Sequence, residues 1–174
     1  MRIRLRGLGV PGVSARTIHS AALKQLLYFW PKVFGGITPD LLSSKPPFIT
    51  AAIERTDLKL ARNQRETVRD VANEIEWAKV NQISPVDLIN SGRRPRGNID
   101  LGDIAKVYDA YETLKKQERV IDFEDLLLLT TAMLENEPEV RERVHEQYRY
   151  FTVDEYQDIS PIQQRLINAW LGNR

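Results

Sequence analysis

Positions 150–158 of the chain read Tyr-Phe-Thr-Val-Asp-Glu-Tyr-Gln-Asp, an apolar run that changes abruptly to polar residues. Its first four residues are aromatic or β-branched, a composition typical of a short buried strand. Two adjacent carboxylates, Asp154 and Glu155, follow directly. We therefore predict a strand over residues 150–153 that ends in an acidic loop.

A helix is predicted immediately after this loop. Ser160 can cap it, Pro161 stands at its first position, and Gln163 falls three residues after the cap. Residues 154–159 are thus expected to connect the carboxyl end of a strand to a helix. In open α/β sheets, ligands bind at that end of the strands.

An Asp-Glu pair in this position suits phosphoryl chemistry. A Mg²⁺ ion that bridges nucleotide phosphates takes one or two carboxylates and keeps several of its waters. Asp154 could hold such an ion through those waters, and Glu155 could orient or deprotonate an attacking water. The alternative is a solvated acidic pair after an edge strand, and the flanking strand and capped helix favour the functional interpretation.

Composition excludes several classes of function. The 174 residues carry 25 Lys and Arg against 24 Asp and Glu, a formal charge of +1, so only a local patch could attract nucleic acid. The chain has no cysteine, which excludes disulfides, Cys-ligated zinc and thiol catalysis, and fits a cytoplasmic location. Two histidines are too few for a metal cluster, and no apolar run is long enough to predict a membrane span.

The first part of the chain combines strand and helix signals. Residues 1–8 alternate basic and apolar side chains and fit either a strand or a helix end. Residues 13–18 predict a short strand, followed by a helix over about 21–29 that Pro31 and Gly35-Gly36 are expected to end.

The middle of the chain reads as helical, without a strand signal. Thr38-Pro39-Asp40 predicts a short helix, and Lys45-Pro46-Pro47 is expected to break it. Further helices are predicted over residues 49–59, 65–81, 85–89 and 100–116. A basic loop at 91–98 separates the last two.

The remaining signals are again mixed. Asp122 should cap an apolar helix over 123–135, with Asp125 in its first turn favouring the helix dipole, and Pro138 should begin another helix. Two predicted strands cannot by themselves form a stable parallel sheet with both faces covered. We therefore expect a mostly α chain with an incomplete α/β core and short parallel strands.

Three segments together resemble the UvrD/Rep-type superfamily 1 ATP-dependent DNA helicases. They are Thr-Ile-His-Ser at 17–20, Ile-Asp-Phe-Glu-Asp-Leu-Leu at 121–127, and Val-Asp-Glu-Tyr-Gln-Asp at 153–158 with Gln163 after it. Ile18 replaces the usual Phe of the first segment, and Ile159-Ser160 replaces a common Thr-Asn. The Arg-Gly-Leu-Gly and Leu-Tyr-Phe-Trp-Pro stretches look most like an actinobacterial branch.

The resemblance implies a fold and a nucleotide site. Residues 1–33 and 117–174 would belong to the RecA-like (P-loop NTPase) domain 1A, and 34–116 would form the helical insertion subdomain 1B. Asp154 would be the Walker B residue that serves Mg²⁺, Glu155 the catalytic carboxylate for ATP hydrolysis, and Gln157 the link from nucleotide to DNA.

The resemblance also implies contacts with DNA. Thr17, His19 and Ser20 would lie along a single-stranded DNA track, and subdomain 1B would face the duplex. Arg93, Arg94 and Arg96 form the concentrated basic loop, which is either solvated or in contact with duplex phosphates. His19 could equally be a packed histidine.

The sequence contains no Gly-x-x-x-x-Gly-Lys-Ser/Thr loop to cradle the phosphates. In the family that loop precedes the segment seen here, and a second RecA-like domain follows it. We therefore expect an internal fragment that is inactive alone and needs that second domain as its partner. The alternative is an autonomously folded helical module that binds DNA or protein without catalysis. An unpaired strand edge could also make the fragment dimerise artificially.

Overall fold

The computed structural model describes residues 15–56, 58, 64–95, 99–148 and 150–172. Within these ranges the chain is mostly helical, with two short parallel strands, as predicted. The elements are α1 (Ile18–Val33), β1 (Asp40–Leu41), α2 (Lys45–Glu54), α3 (Gln64–Val80), α4 (Pro85–Leu88), α5 (Leu101–Glu118), β2 (Val120–Ile121), α6 (Phe123–Asn136), α7 (Pro138–Gln147) and α8 (Pro161–Leu171). None of the helices in these ranges is long and apolar enough to cross a membrane.

The helices begin where side chains satisfy their first backbone N–H groups. Ser84, Asp100, Asp122 and Ser160 each accept a hydrogen bond from the first turn of the helix that follows. Both Asp122 and Ser160 form complete capping boxes with the third helical residue. These four predicted starts are confirmed.

Two hydrophobic clusters form the core. The first is built from α2, α3, α4 and α5, with Ile49, Ile104 and Tyr111 almost fully buried in it. The second joins α1 to α6, α7 and α8, with Leu26, Leu126 and Leu166 at its centre. The first cluster draws on residues of the predicted insertion, and the assignment of subdomains stays a prediction.

The two strands lie at the point where the chain passes between these clusters. Asp40 pairs with Val120 and Leu41 with Ile121 in parallel register. Arg119, in the left-handed conformation with φ 54°, ends α5 and turns the chain into β2. The prediction that the middle block has no strand is therefore wrong, since β1 is stabilised by a partner 80 residues away that local periodicity does not reveal.

Two proline signals were also interpreted incorrectly. Pro31 lies inside α1, close enough to its end that the helix closes normally through the bond from Phe34 N–H to the Trp30 carbonyl. Pro46 stands in the first turn of α2, where no intrahelical N–H bond is required, so Lys45-Pro46-Pro47 begins a helix.

Neither predicted core strand is present among the described residues. Residues 15–17 form no strand and Ile18 already begins α1, while residues 1–14 lie outside the described ranges. Residues 150–153 form no strand either. A parallel strand requires a neighbouring strand for its hydrogen bonds, and no described segment pairs with this one. Phe151 is instead stacked between Tyr148 and Trp170, at ring-centroid distances of 5.8 and 5.7 Å.

Candidate nucleotide and DNA sites

Helix α8 fixes the position of the acidic turn. The Gln163 side chain accepts a hydrogen bond from Ser160 N–H at 3.0 Å, and Ser160 Oγ accepts one from Gln163 N–H at 3.5 Å. Trp170, at the other end of α8, donates its indole N–H to the buried Gln25 of α1 at 2.8 Å. The turn that precedes α8 therefore rests on a helix that is capped at its start and anchored in the second cluster.

The acidic residues form a tight, exposed turn. Asp154 Oδ1 accepts a hydrogen bond from Glu155 N–H at 3.1 Å, and a single 3-10 turn covers Tyr156–Asp158. Glu155 adopts the left-handed conformation, with φ 50° and ψ 46°. That conformation is uncommon for a residue with a side chain, and residues in it are found often at functional sites.

Glu155 and Gln157 are brought into direct contact. The Gln157 side-chain amide donates to Glu155 Oε2, so the two predicted catalytic residues form one polar pair. Tyr156 donates its hydroxyl to Gln164 of α8 at 2.6 Å, which ties the middle of the turn to the helix. The carboxylate of Glu155 thus has a neighbour that can set its orientation.

The donor set of this turn fits a magnesium ion. The carboxylates of Asp154 and Glu155 are adjacent and exposed, and within the described ranges neither forms a salt bridge. Mg²⁺ prefers such oxygen ligands and retains water at its other positions. Asp154 would hold the ion from this side, and the ion would neutralise phosphate charge.

The residues at the start of α1 cap the helix. Thr17 Oγ1 accepts a hydrogen bond from Ser20 N–H at 3.1 Å, and Ser20 Oγ donates to the Thr17 carbonyl at 3.0 Å. The His19 ring packs edge-on against Phe123 at 5.7 Å, and burial lowers the pKa of His19. A helix N-terminus favours anions, so this end of α1 can accept a phosphate. No described hydrogen bond joins these residues to the acidic turn.

The three arginines of the basic loop have different surroundings. Arg93 forms a bidentate pair with Glu74 of α3, at 2.9 and 3.3 Å, and its guanidinium lies 4.2 Å from the centre of the Trp77 ring. Arg94 is exposed and lines an open groove beside Ile89. Arg96 lies outside the described residues. The loop is therefore not uniformly solvated, because Arg93 is fastened to α3.

Sequence reasoning missed a buried ionic cluster between the two hydrophobic clusters. Lys79 of α3 and Lys115 of α5 both donate to Asp122 Oδ2, at 2.8 and 3.0 Å, and both also bind Asp125. Glu112 lies 2.8 Å from Lys79 and 2.9 Å from Lys115. The prediction that Asp122 and Asp125 act as caps is confirmed by the capping box that they form. It is incomplete, because both residues also bind the two lysines and Asp122 is fully buried.

The charged forms of Lys79 and Asp122 are stabilised by their neighbours in this cluster. Burial by itself would lower the pKa of Lys79, but the neighbouring carboxylates outweigh burial and raise it well above its usual range. Burial would raise the pKa of Asp122, but the charges of Lys79 and Lys115 outweigh it and hold that pKa well below its usual range. Oxygens of Glu112, Asp122 and Asp125 lie within 4.8 Å of one another, a spacing that could suit a metal. The two ammonium groups already occupy the place of a cation.

Comparison with known proteins extends over the whole chain. The model of the UvrD/REP helicase N-terminal domain matches residues 1–174. The ATP-dependent DNA helicase UvrD2 of Mycobacterium tuberculosis (strain H37Rv) is 43% identical over 187 aligned residues, which cover 100% of this chain and 26% of the relative. The ATP-dependent DNA helicase PcrA of Leuconostoc citreum is 33% identical over 64% of this chain and 14% of its own length.

The ATP-dependent DNA helicase Rep of Escherichia coli (strain K12) aligns over a shorter segment: it is 41% identical over 40% of this chain and 10% of its own length. The chain thus spans about a quarter of the length of UvrD2 and less of the other two. The resemblance carried by residues 17–20, 121–127 and 153–158 is confirmed: the chain belongs to the UvrD/Rep helicase family.

Proposed function

We propose that this chain is part of an ATP-dependent DNA helicase that translocates on single-stranded DNA and unwinds duplex. The observation that carries the proposal is the acidic turn, in which exposed Asp154 and Glu155 precede a capped helix and Glu155 is paired with Gln157. The relatives named above are described as ATP-dependent DNA helicases, which supports the same activity.

In this proposal each residue of the turn has its own role. Asp154 would hold Mg²⁺ through water, and Glu155 would position or deprotonate the water that attacks the terminal phosphate of ATP. Gln157 orients Glu155 through its amide. Because Gln157 donates a hydrogen bond to Glu155, a movement of Gln157 would shift the Glu155 carboxylate. Gln157 is also the predicted link to the DNA site, so bound DNA could act on hydrolysis in this way.

The described residues supply only the carboxylate side of this nucleotide site. The 174 residues contain no Gly-x-x-x-x-Gly-Lys-Ser/Thr loop, so we propose that the phosphate-binding loop and a second RecA-like domain come from other parts of the parent protein. The chain by itself is then expected to hydrolyse no ATP. ATP hydrolysis by the isolated chain that disappears in Glu155→Gln would contradict this.

Two surfaces are proposed to contact DNA. Thr17, His19 and Ser20 lie at the N-terminus of α1, where backbone N–H groups and a neutral imidazole can bind the phosphates of single-stranded DNA. The basic loop with Arg93, Arg94 and Arg96 is proposed to face duplex phosphates. Contacts of that kind depend on salt and not on sequence.

Unwinding by the complete protein tests the proposal. Glu155→Gln should abolish ATP-dependent separation of a duplex that carries a single-stranded tail, while binding of the tail is retained. The matched control is Glu146→Gln, which makes the same chemical change at an exposed position of α7. If Glu155→Gln unwinds as fast as Glu146→Gln, the acidic turn is not the hydrolysis site.

One observation favours the second candidate, a helical binding module without catalysis. The buried members of the first hydrophobic cluster all lie between Leu42 and Leu114, so this region has a core of its own. If the module alone accounts for function, duplex binding should survive Glu155→Gln and no ATP-dependent step should be detectable in the complete protein.

A further inference from the structure

The contacts of Arg93 distinguish it from Arg94, the other described arginine of its loop. The Glu74 carboxylate that it binds is almost fully buried, with 1% of its side chain exposed, and accepts from both Nε and one terminal nitrogen of Arg93. A planar guanidinium that binds a carboxylate in this bidentate manner is held in a defined orientation.

The backbone of the loop is fixed at the same place. Ser91 Oγ donates to the Leu88 carbonyl at 2.7 Å and accepts from Arg93 N–H at 3.3 Å. Gly92 takes a left-handed conformation, with φ 68°, which allows the chain to turn between them. Arg93 therefore connects the end of α4 to the side of α3 through its backbone and its side chain.

Stacking on Trp77 completes the attachment. The guanidinium lies 4.2 Å from the centre of the Trp77 ring, within the range of a cation–π contact. Its charge is thus already matched by a carboxylate and an aromatic face. Arg94, the next residue, is exposed. Both arginines border the groove at Ile89 and Pro95, and Arg93 keeps 30% of its side chain exposed, so the bond to Glu74 and the stacking on Trp77 are what distinguish the two.

We propose that Arg93 is a positioning residue, which Glu74 and Trp77 hold against α3 so that Arg94 is the arginine of this pair that meets duplex phosphates. This inference rests on the proposed contact between the basic loop and duplex DNA, and it assigns different roles to two adjacent residues of identical type. Arg93 acts through the conformation of the loop, whereas Arg94 contributes charge.

A double-mutant cycle in the complete protein tests this division. Duplex affinity is measured at several salt concentrations for Arg93→Gln, Arg94→Gln and the double variant. Loss of one phosphate contact should lower the slope of log K against log salt by about one. If Arg93 acts through Arg94, each single variant lowers the slope by about one and the double variant loses no more than Arg94→Gln. Additive losses, with a slope lower by about two in the double variant, would overturn the proposal, as would an Arg93→Gln variant that binds normally.

Glu74→Gln gives a second test, in which the sign of the effect decides. The substitution removes a negative charge, so it should strengthen binding if Arg93 contacts phosphates directly, and weaken binding if Arg93 has to be fastened to Glu74. Glu118→Gln, at an exposed position of α5, is the control for the charge change. The indole N–H resonance of Trp77 reports whether the attachment is lost, and it should shift in Glu74→Gln and Arg93→Gln but not in Arg94→Gln.

The outcomes separate this inference from the proposed function. If Arg94→Gln leaves affinity and slope unchanged, the positioning role is refuted. The duplex contact of the loop is refuted as well only if Arg93→Gln and Arg96→Gln also bind with unchanged affinity and slope. If Arg94→Gln weakens binding but Glu74→Gln strengthens it, duplex contact holds and Arg93 is itself a phosphate ligand. Should Glu74→Gln fail to fold, as circular dichroism would reveal, the double-mutant cycle decides the question alone.

Discussion

Substitution of Asp122 by Asn should destabilise the chain strongly, although the side chain keeps its size and shape. One oxygen of Asp122 accepts from Lys79, Lys115 and the Tyr111 hydroxyl, at 2.8, 3.0 and 3.0 Å, and the other accepts from Asp125 N–H at 2.8 Å. An Asn amide has only one acceptor oxygen. Whichever way it turns, its NH₂ group faces either two ammonium groups or the backbone N–H at the start of α6.

The cost follows from the burial of the two lysines, each of which loses one of its three carboxylate partners. Lys79, Lys115 and Asp122 are 1%, 2% and 0% exposed, so water cannot replace the missing acceptor. Both lysines keep Glu112 and Asp125 as carboxylate partners, so the loss is that of the charge-assisted hydrogen bonds to Asp122, about 1.5–3 kcal/mol. That is a large share of the roughly 5–15 kcal/mol by which domains are usually stable.

Asp100 provides a matched control. It caps α5 through a hydrogen bond from Gly102 N–H at 2.7 Å, but it is exposed and binds no lysine among the described residues. Asn is about as good a cap as Asp, so Asp100→Asn should change stability by less than about 0.5 kcal/mol. Urea unfolding of the 174-residue chain, followed by circular dichroism, measures both variants. If the two substitutions cost the same, the lysine cluster contributes nothing beyond a helix cap, and the reasoning is refuted.

Three other predictions concern the same scaffold. The folded-state pKa of Asp122 lies below its unfolded value of about 3.9, so the stability that its charge contributes is present above about pH 3.9 and is lost as the pH falls toward the folded-state pKa. Between about pH 4 and 2 the midpoint of urea unfolding should therefore fall more in the wild type than in Asp122→Asn. Midpoints that fall in parallel in the two proteins would contradict this. Gly172→Ala should lower the free energy of unfolding more than Gly35→Ala. Both glycines have positive φ, but a Cβ at Gly172 would lie 2.6 Å from the His145 ring, whereas one at Gly35 meets nothing within 4 Å. Thermal unfolding of the two variants measures the difference, and an equal loss of stability would refute the predicted clash. A segment of residues 34–116 should unfold at a lower temperature than a segment of residues 34–136. The shorter segment lacks Asp122 and Asp125, the carboxylates that bind Lys79 and Lys115. Equal melting temperatures would show that the first hydrophobic cluster does not need these carboxylates.

Local signals explain what could be predicted from the sequence. Helix starts depend on a capping side chain and the two or three residues after it, which is why the starts at Ser84, Asp122 and Ser160 could be identified from the sequence. The acidic turn could be located for the same reason, since the capped helix follows it directly. Motif spacing then related these elements to a family.

The features that the sequence did not predict depend on contacts between residues far apart in the chain. Lys79 and Asp122 are 43 residues apart, and nothing around Lys79 in the sequence distinguishes it from an exposed lysine of an amphipathic helix. Arg93 looked like any other member of a basic loop, because its partners Glu74 and Trp77 lie on a different helix. The composition of residues 150–153 is typical of a strand, but the predicted strand is absent. A parallel strand also requires a neighbouring strand to pair with, which composition does not provide.

Single-turnover kinetics test whether the turn at residues 154–158 takes part in ATP hydrolysis in the parent protein, as we propose. In the complete protein, Glu155→Gln should bind a fluorescent ATP analogue in the presence of Mg²⁺ with nearly wild-type affinity. Its rate of hydrolysis on single-stranded DNA should fall by about 10²–10⁴-fold, the usual contribution of a positioned general base. Normal binding with an unchanged rate of hydrolysis would contradict the assignment of Glu155 as the catalytic carboxylate.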